Sequence, residues 1–209
     1  VSGQKEQSLS SLPPTLMFDL GNVIIPLKNE RHWAQQVFNP IFEEEPLEIL
    51  REGGFFRYYE MGKFGDKEFL DKLETHLRQG YQRKDIIDAW IALLDELPMH
   101  RLDFLRQLSE NHRILLLSNT NNIHLSYIFD QYGQHALEKA FSYCYYSHLI
   151  GLAKPDRMIY KYVLRNEGLE ASEVLFLDDK AENISSAAGL GIQTILVTPG
   201  EEIADLLAI

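Results

Sequence analysis

One cysteine, Cys144, stands in a chain of 209 residues. No disulfide can close within it, and such sparing use of cysteine favours a reducing, cytoplasmic setting. No apolar run approaches the roughly 20 residues of a membrane-spanning helix, so no membrane partner is expected. Positive charge is also scarce: 20 Lys and Arg against 31 Asp and Glu leave a formal net charge of −11. The Lys and Arg residues are scattered, with no basic stripe to meet nucleic acid. An acidic chain that handles phosphate must therefore concentrate positive charge locally, by a cation or a single Lys. The opening residues 1–11 are polar and lack the charged start and apolar middle of a signal peptide. Pro13 and Pro14 follow, and residues 1–14 are expected to form a mobile tail.

Apolar residues are plentiful, at 45% of the chain, enough for a real core. Five apolar runs stand out, at 16–18, 114–117, 141–146, 174–177 and 194–197. Three of them are nearly continuous in Leu, Ile, Val and Phe, the pattern of strands covered on both faces. Helical segments separate them at 122–130, 155–166 and 181–190. Such alternation predicts an α/β fold, with a parallel sheet and helices on both faces. Between residue 27 and about residue 98 only helical periodicity is visible, in 43–51, 66–78 and 84–96. The expected organisation is a core of 15–26 plus 101–209, with residues 27–100 inserted after the first strand as a helical cap. An insert there is placed to act as a lid.

Four strand ends carry polar residues suited to chemistry. The first run closes on Asp19, followed by Leu20, Gly21 and Asn22. At the carboxyl end of a buried strand this carboxylate can be a nucleophile or a metal ligand; a turn-forming Asp is the bland alternative. The second ends in Ser118, Asn119, Thr120 and Asn121 before a helix. A hydroxyl and free N–H groups at a helix start make an anion site, although the same residues also cap helices. The third stretch carries Lys154 before Pro155. Lys is a poor N-cap and opposes the helix dipole, so its placement suggests a waiting anion; an ordinary surface Lys is the alternative. The fourth places Asp178 and Asp179 side by side after a buried strand. Two adjacent carboxylates repel, and a hard divalent cation such as Mg2+ would relieve them; an acidic solvated turn is the alternative.

Taken in order, Asp19, Ser118, Lys154 and the Asp178–Asp179 pair resemble the four motifs of the haloacid dehalogenase-like hydrolase superfamily. The stretches Phe-Asp-Leu-Gly-Asn-Val, Leu-Ser-Asn-Thr-Asn and Asp-Asp-Lys-Ala-Glu-Asn resemble more narrowly a bacterial branch that includes an α-D-glucose-1-phosphate phosphatase. The resemblance implies a Rossmann-like parallel sheet with the Asp19 strand central, between the Asp178 and Ser118 strands. It also implies a Mg2+-dependent phosphomonoesterase acting on a small phosphate ester, a sugar phosphate in that branch. Asp19 would be the nucleophile, with Ser118, Asn119 and Lys154 on the phosphoryl oxygens. Asp19, the Gly21 carbonyl, Asp178 and Asp179 would hold the metal.

One departure opens a fork. Most phosphatases of the superfamily carry a second Asp two residues after the nucleophile as general acid and base, and here that position is Gly21. Water, His124 or an insert residue such as Glu60 are the candidates to protonate the leaving group. An anomeric hydroxyl, being more acidic than an ordinary alcohol, would leave with less help. The missing Asp also fits a haloacid dehalogenase, which has no use for two clustered carboxylates, or a binding module without turnover. Substrate contacts are expected from the stretch 53–62, where aromatics can stack on a sugar and Arg57 or Glu60 can bond hydroxyls. A plain packing turn is the other reading of that stretch.

Overall fold

The computed structural model describes residues 12–207. The expected tail therefore lies mostly outside the described residues. Five strands form one sheet: β1 (Thr15–Phe18), β2 (Arg113–Ser118), β3 (Tyr143–Tyr146), β4 (Val174–Asp178) and β5 (Gln193–Leu196). Their order is β3-β2-β1-β4-β5 and every pairing is parallel. The β1 strand lies between β2 and β4, with Met17 opposite Leu115 on one side and Phe176 on the other. The central place of β1 between β2 and β4 matches the arrangement that the resemblance implies.

Apolar runs without polar alternation form this sheet because both faces are covered. Leu16, Phe18, Ile114, Leu116 and Leu177 pack into one cluster, whereas Met17, Leu115, Leu117 and Phe176 point into another. Period-two alternation thus sends successive apolar residues to opposite cores.

Helices supply those covers. Residues 27–98 hold α1 (Glu30–Trp33), which runs on as a π-helical turn over Ala34–Phe38, then α2 (Pro46–Arg51), α3 (Phe55–Glu60), α4 (Asp66–Glu74) and α5 (Arg83–Ile91). After them come α6 (Met99–Leu108), α7 (Asn122–Tyr132), α8 (Gln134–Glu138), α9 (Ser147–Ile150), α10 (Arg157–Glu167), α11 (Ala181–Ala188) and α12 (Ile203–Leu206). Leu102 and Leu105 of α6, Leu125 and Ile128 of α7 and Ile203 of α12 cover the first face. Ile159, Tyr160 and Val163 of α10 and Ala187 of α11 cover the second.

The inserted helices have a core of their own. Trp33, Phe38, Phe42, Tyr59, Phe69 and Trp90 anchor it, and among the described residues only Ile123 of α7 joins it from the sheet side. The two chain crossings that lead into and out of the insert run side by side. Leu27 bridges Leu94 antiparallel, Lys28 N–H donates to Leu93 O at 2.9 Å and Asp95 N–H donates to Pro26 O at 3.0 Å. The insert is thereby tied at its root directly above the end of β1.

Candidate active site

The polar ends of the parallel strands meet at the foot of a cavity of about 550 Å³. Its floor carries Asp19, Gly21, Ser118, Asn119, Lys154 and Asp179. Its walls include Trp33, Leu50, Phe56, Trp90 and Leu93 from the insert. Among the described residues, no helix is long and apolar enough to cross a membrane.

Lys154 is the hub of the floor. Its Nζ lies 2.7 Å from Asp19 Oδ1, 2.6 Å from Asp178 Oδ2 and 2.8 Å from Leu117 O, so all three ammonium protons have acceptors. Burial alone would depress this ammonium, but the Asp19 and Asp178 carboxylates outweigh it and raise its pKa. The backbone around it is clamped as well. Asn119 accepts from Lys154 N–H at 2.9 Å and donates its Nδ2 to Lys154 O at 2.9 Å. Sequence reasoning put Lys154 at the start of a helix; the structure corrects this. The Lys154–Pro155 peptide is cis, and α10 starts at Arg157 under an Asp156 cap. The lysine therefore escapes the unfavourable helix dipole and turns into the sheet end instead.

The acidic pair divides its labour. Asp178 is fully buried and does not line this cavity. Its carboxylate takes Lys180 N–H at 2.8 Å, Asn183 Nδ2 at 2.9 and 3.0 Å and the lysine Nζ at 2.6 Å. Asp179 faces the cavity and accepts from Asn22 Nδ2 at 2.8 Å. Asn22 sits at φ +56°, a left-handed conformation that Asn tolerates better than most residues. That geometry lets its Oδ1 take Leu27 N–H at 3.0 Å while its amide reaches Asp179. Asn22, Lys180 and Asn183 lie in stretches that carry the resemblance, and Asn183 follows the acidic pair, but the sequence alone assigns none of them a role. The offset of five residues from Asp178 to Asn183, on the first turn of α11, was the available signal.

Asp19, Asp178 and Asp179 each offer an oxygen within 4.8 Å of the others. Burial pushes the Asp19 carboxyl up to about 7, Lys154 pulls it down, and the two neighbouring carboxylates push it up again. A cluster of three carboxyl groups around one ammonium is short of positive charge. A hard oxygen-seeking cation fits that donor set, and the Gly21 carbonyl lies on the same floor.

Ser118 is buried at the end of β2, and its one hydrogen bond among the described residues is a long 3.4 Å contact to Asn119 O. Asn121 caps α7 by accepting His124 N–H at 3.1 Å. This helix has eleven residues and presents its amino end to the cavity, a favourable pole for an anion.

The remaining expected residues separate. Glu60 lines the cavity, and burial pushes its carboxyl up to about 7 against the pull of Lys180, Lys154 and Arg57. His124 also lines it, yet its ring is stacked on Trp90 with centroids 5.5 Å apart. Its Nε2 is 3.0 Å from Trp90 O. A carbonyl only accepts, so Nε2 carries the proton, and burial lowers the imidazole pKa to about 4. Arg57 is exposed and is not part of the cavity lining; Phe56, one position earlier, takes that place.

Comparison with known proteins agrees with this architecture. The haloacid dehalogenase-like hydrolase family matches residues 14–191. A haloacid dehalogenase-family enzyme of Bacteroides thetaiotaomicron, solved with magnesium, superposes with a TM-score of 0.82 at 32% identity, covering 93% of this chain and 98% of that one. The D-ribitol-5-phosphate phosphatase of the same organism is 26% identical over 185 residues, covering 86% of this chain and 89% of its own. An L-2-haloacid dehalogenase shares the fold alone, with a TM-score of 0.62 at 18% identity, covering 94% of this chain and 97% of that one.

Proposed function

The chain belongs to the haloacid dehalogenase-like hydrolases, and on that premise we propose that it hydrolyses the phosphate monoester of a small metabolite, a sugar or sugar-alcohol phosphate, with magnesium. The observation that carries this reading is the convergence of Asp19, Lys154 and Asp179 at one cavity floor, with Asp178 buried directly beneath it. The relatives support it: the fold neighbour is a magnesium complex, and the curated relative acts on D-ribitol 5-phosphate. Asp19, the Gly21 carbonyl and Asp179 would hold the metal, with Asp178 directly or through water. Bound magnesium would supply positive charge to the phosphoryl oxygens and to the carboxylate cluster.

Asp19 has one oxygen on Lys154 and the other left to react. That free oxygen attacks phosphorus in line, the ester oxygen departs with the bond pair, and an aspartyl-phosphate forms. Water then attacks the same phosphorus, the Asp19–phosphorus bond breaks and inorganic phosphate leaves. Ser118 Oγ and Asn119 N–H hold the phosphoryl oxygens while their charge shifts, and the Lys154 ammonium adds positive charge beside them. Asp178 does not touch substrate; it holds Lys154 in place and charged. Residues 27–100 form a cap that closes the reaction off from bulk water.

The test is release of inorganic phosphate from a panel of sugar, sugar-alcohol and nucleotide monophosphates, with magnesium and with excess chelator. Turnover of a polyol or sugar phosphate that stops in chelator, and that Asp19→Asn abolishes without unfolding the chain, is the expected result. Phosphate release unchanged in chelator would overturn the metal-dependent mechanism. Chloride release from a 2-haloacid, with no phosphatase activity, would replace the proposal by a dehalogenase.

A further inference from the structure

Both halves of the proposed reaction require a proton to move. The departing ester oxygen must gain one, and the attacking water must lose one. On the cavity floor, Asp19 and Asp179 are given to the metal and Ser118 and Asn119 to the phosphoryl oxygens, and the other polar groups have their protons or oxygens committed. Asp178 is saturated by three N–H donors. Lys154 gives its protons to Asp19, Asp178 and Leu117 O. His124 holds its single proton on Nε2 against Trp90 O, and burial keeps the ring neutral. Gly21 has no side chain, and a Cβ there would lie 3.1 Å from Leu27 Cδ1, so Leu27 crowds that space.

Glu60 stands at the last residue of α3, on the insert side of the same cavity. Among the described residues no hydrogen bond or ion pair engages its carboxyl. Its backbone, by contrast, is fixed to the sheet domain. Ser147 Oγ donates to Glu60 O at 2.6 Å, and that same hydroxyl accepts Thr120 N–H at 3.0 Å from the loop after β2. Two residues on, Gly62 turns at φ +62°, where a Cβ would sit 2.0 Å from His148 O. Only glycine permits so close an approach of this turn to α9. The insert's free carboxyl is thus held by the parts of the core that also position Ser118 and Asn119.

We propose that Glu60 is the general acid and base of the reaction, in a role that rests on the phosphatase reading above. Protonated Glu60 gives its proton to the ester oxygen as the phosphorus–oxygen bond breaks, which yields the free alcohol and the Glu60 carboxylate. The carboxylate then takes a proton from the water that attacks the aspartyl-phosphate, and Glu60 is protonated again as phosphate leaves. Atoms and charge balance over the cycle, with water as the only co-reactant. The charged groups around it are Lys180 and Lys154 from the sheet side, Arg57 from its own helix and Asp19 and Asp179 across the cavity, with His148 on the packed α9. Burial outweighs the three cations and raises the Glu60 carboxyl to about 7, so both protonation states are populated near neutral pH, which suits a group that must both give and take a proton.

The experiment compares wild type and Glu60→Gln with magnesium on p-nitrophenyl, phenyl and linear alkyl phosphates. The kcat/KM for such esters reports the first step, and p-nitrophenolate leaves without a proton. Glu60→Gln is expected to keep kcat/KM for p-nitrophenyl phosphate within about threefold while losing about 10²–10⁴-fold on the alkyl ester. Glu60→Asp should restore part of that loss. An equal loss on all three esters would make Glu60 a positioning residue and overturn the proposal, as would no loss on the alkyl ester. Failure of wild type to hydrolyse any of the esters with magnesium would instead sink the phosphatase reading itself.

Discussion

The floor and the wall of the cavity are built on opposite principles. On the floor, Lys154, Asp178 and Asn119 form a closed set of short polar contacts in which nearly every atom has a fixed partner. In the wall, aromatic faces meet over broad areas: Tyr59 stacks on Phe69 at 4.0 Å, Trp33 on Phe38 at 4.8 Å, and Trp90 meets Phe56 at 5.5 Å. Charge interactions in a buried setting change steeply with distance, whereas dispersion contacts are individually small and shared among many atoms. Changes on the floor should therefore break chemistry and stability together. Changes in the wall should shift affinity by degrees.

Lys154→Met is the harshest way to break that comparison. It leaves Asp178, buried and stripped of its cation, facing Asp19. Removing one partner of a buried pair typically costs about 3–5 kcal/mol, and turnover should vanish with it. Urea unfolding in chelator measures the cost. The double variant Lys154→Met/Asp178→Asn should recover much of the stability and none of the activity, because the stranded charge is gone but the anion site is not rebuilt. A single variant as stable as wild type would mean that the floor is not the closed charge set described.

Phe56→Ala tests the wall. Phe56 is half-buried, lies edge-on to Trp90 and lines the cavity. The expected effect is a KM raised roughly tenfold, equivalent to about 1.4 kcal/mol of binding, with kcat little changed. Steady-state kinetics on the best substrate of the panel decides it. A fall in kcat as large as that in kcat/KM would place Phe56 among the groups that matter only in the transition state.

The floor was also the part most legible in sequence. The central strands β1, β2 and β4 are buried and continuously apolar, so they were visible as runs, and the residues that break those runs are the ones that meet; the edge strands β3 and β5 also showed as runs although Tyr143, Gln193 and Leu196 are exposed. Asp19 follows β1 and Ser118 closes β2; Asp178 closes β4, with Asp179 next. The two directions taken by Asp178 and Asp179 were not legible. Adjacent residues at a strand end face opposite ways, but which of them turns inward depends on where Lys154 arrives from, 24 residues away in the chain. The wall was read less well. The periodic helices α4 and α5 stood out through residues such as Phe69, Leu70 and Leu73. By contrast, α3 has six residues, follows two glycines at positive φ and is aromatic on several sides, so no period shows. One helical position separates Phe56 in the cavity from Arg57 in solvent, and a six-residue helix does not announce its phase. His124 was visible as a polar residue near a helix start, but its stacking on Trp90 is a contact across 34 residues.

Glu60 is where the two principles touch, and it offers the smallest and sharpest measurement. Its carboxyl lies in the wall, and burial raises it from an ordinary value of 4.5 to about 7. Between those two pH values the folded protein keeps a proton that the unfolded chain has released. Its contribution to stability is therefore complete below about pH 4.5 and is lost as pH rises through about 7. Asp19 is raised into the same range, so the wild-type curve alone cannot assign the slope; the difference between wild type and Glu60→Gln can. Glutamine does not titrate, and in chelator the variant should lose less stability across this window. Above pH 7.5 its Tm should exceed that of wild type by roughly 2–4 °C, the shift that about 1 kcal/mol produces in a chain of this size. Parallel curves at every pH would show that water reaches the carboxyl freely. The wall would then be open at the point where the proton is to be moved, and the contrast between a dry floor and a dry wall would reduce to the floor alone.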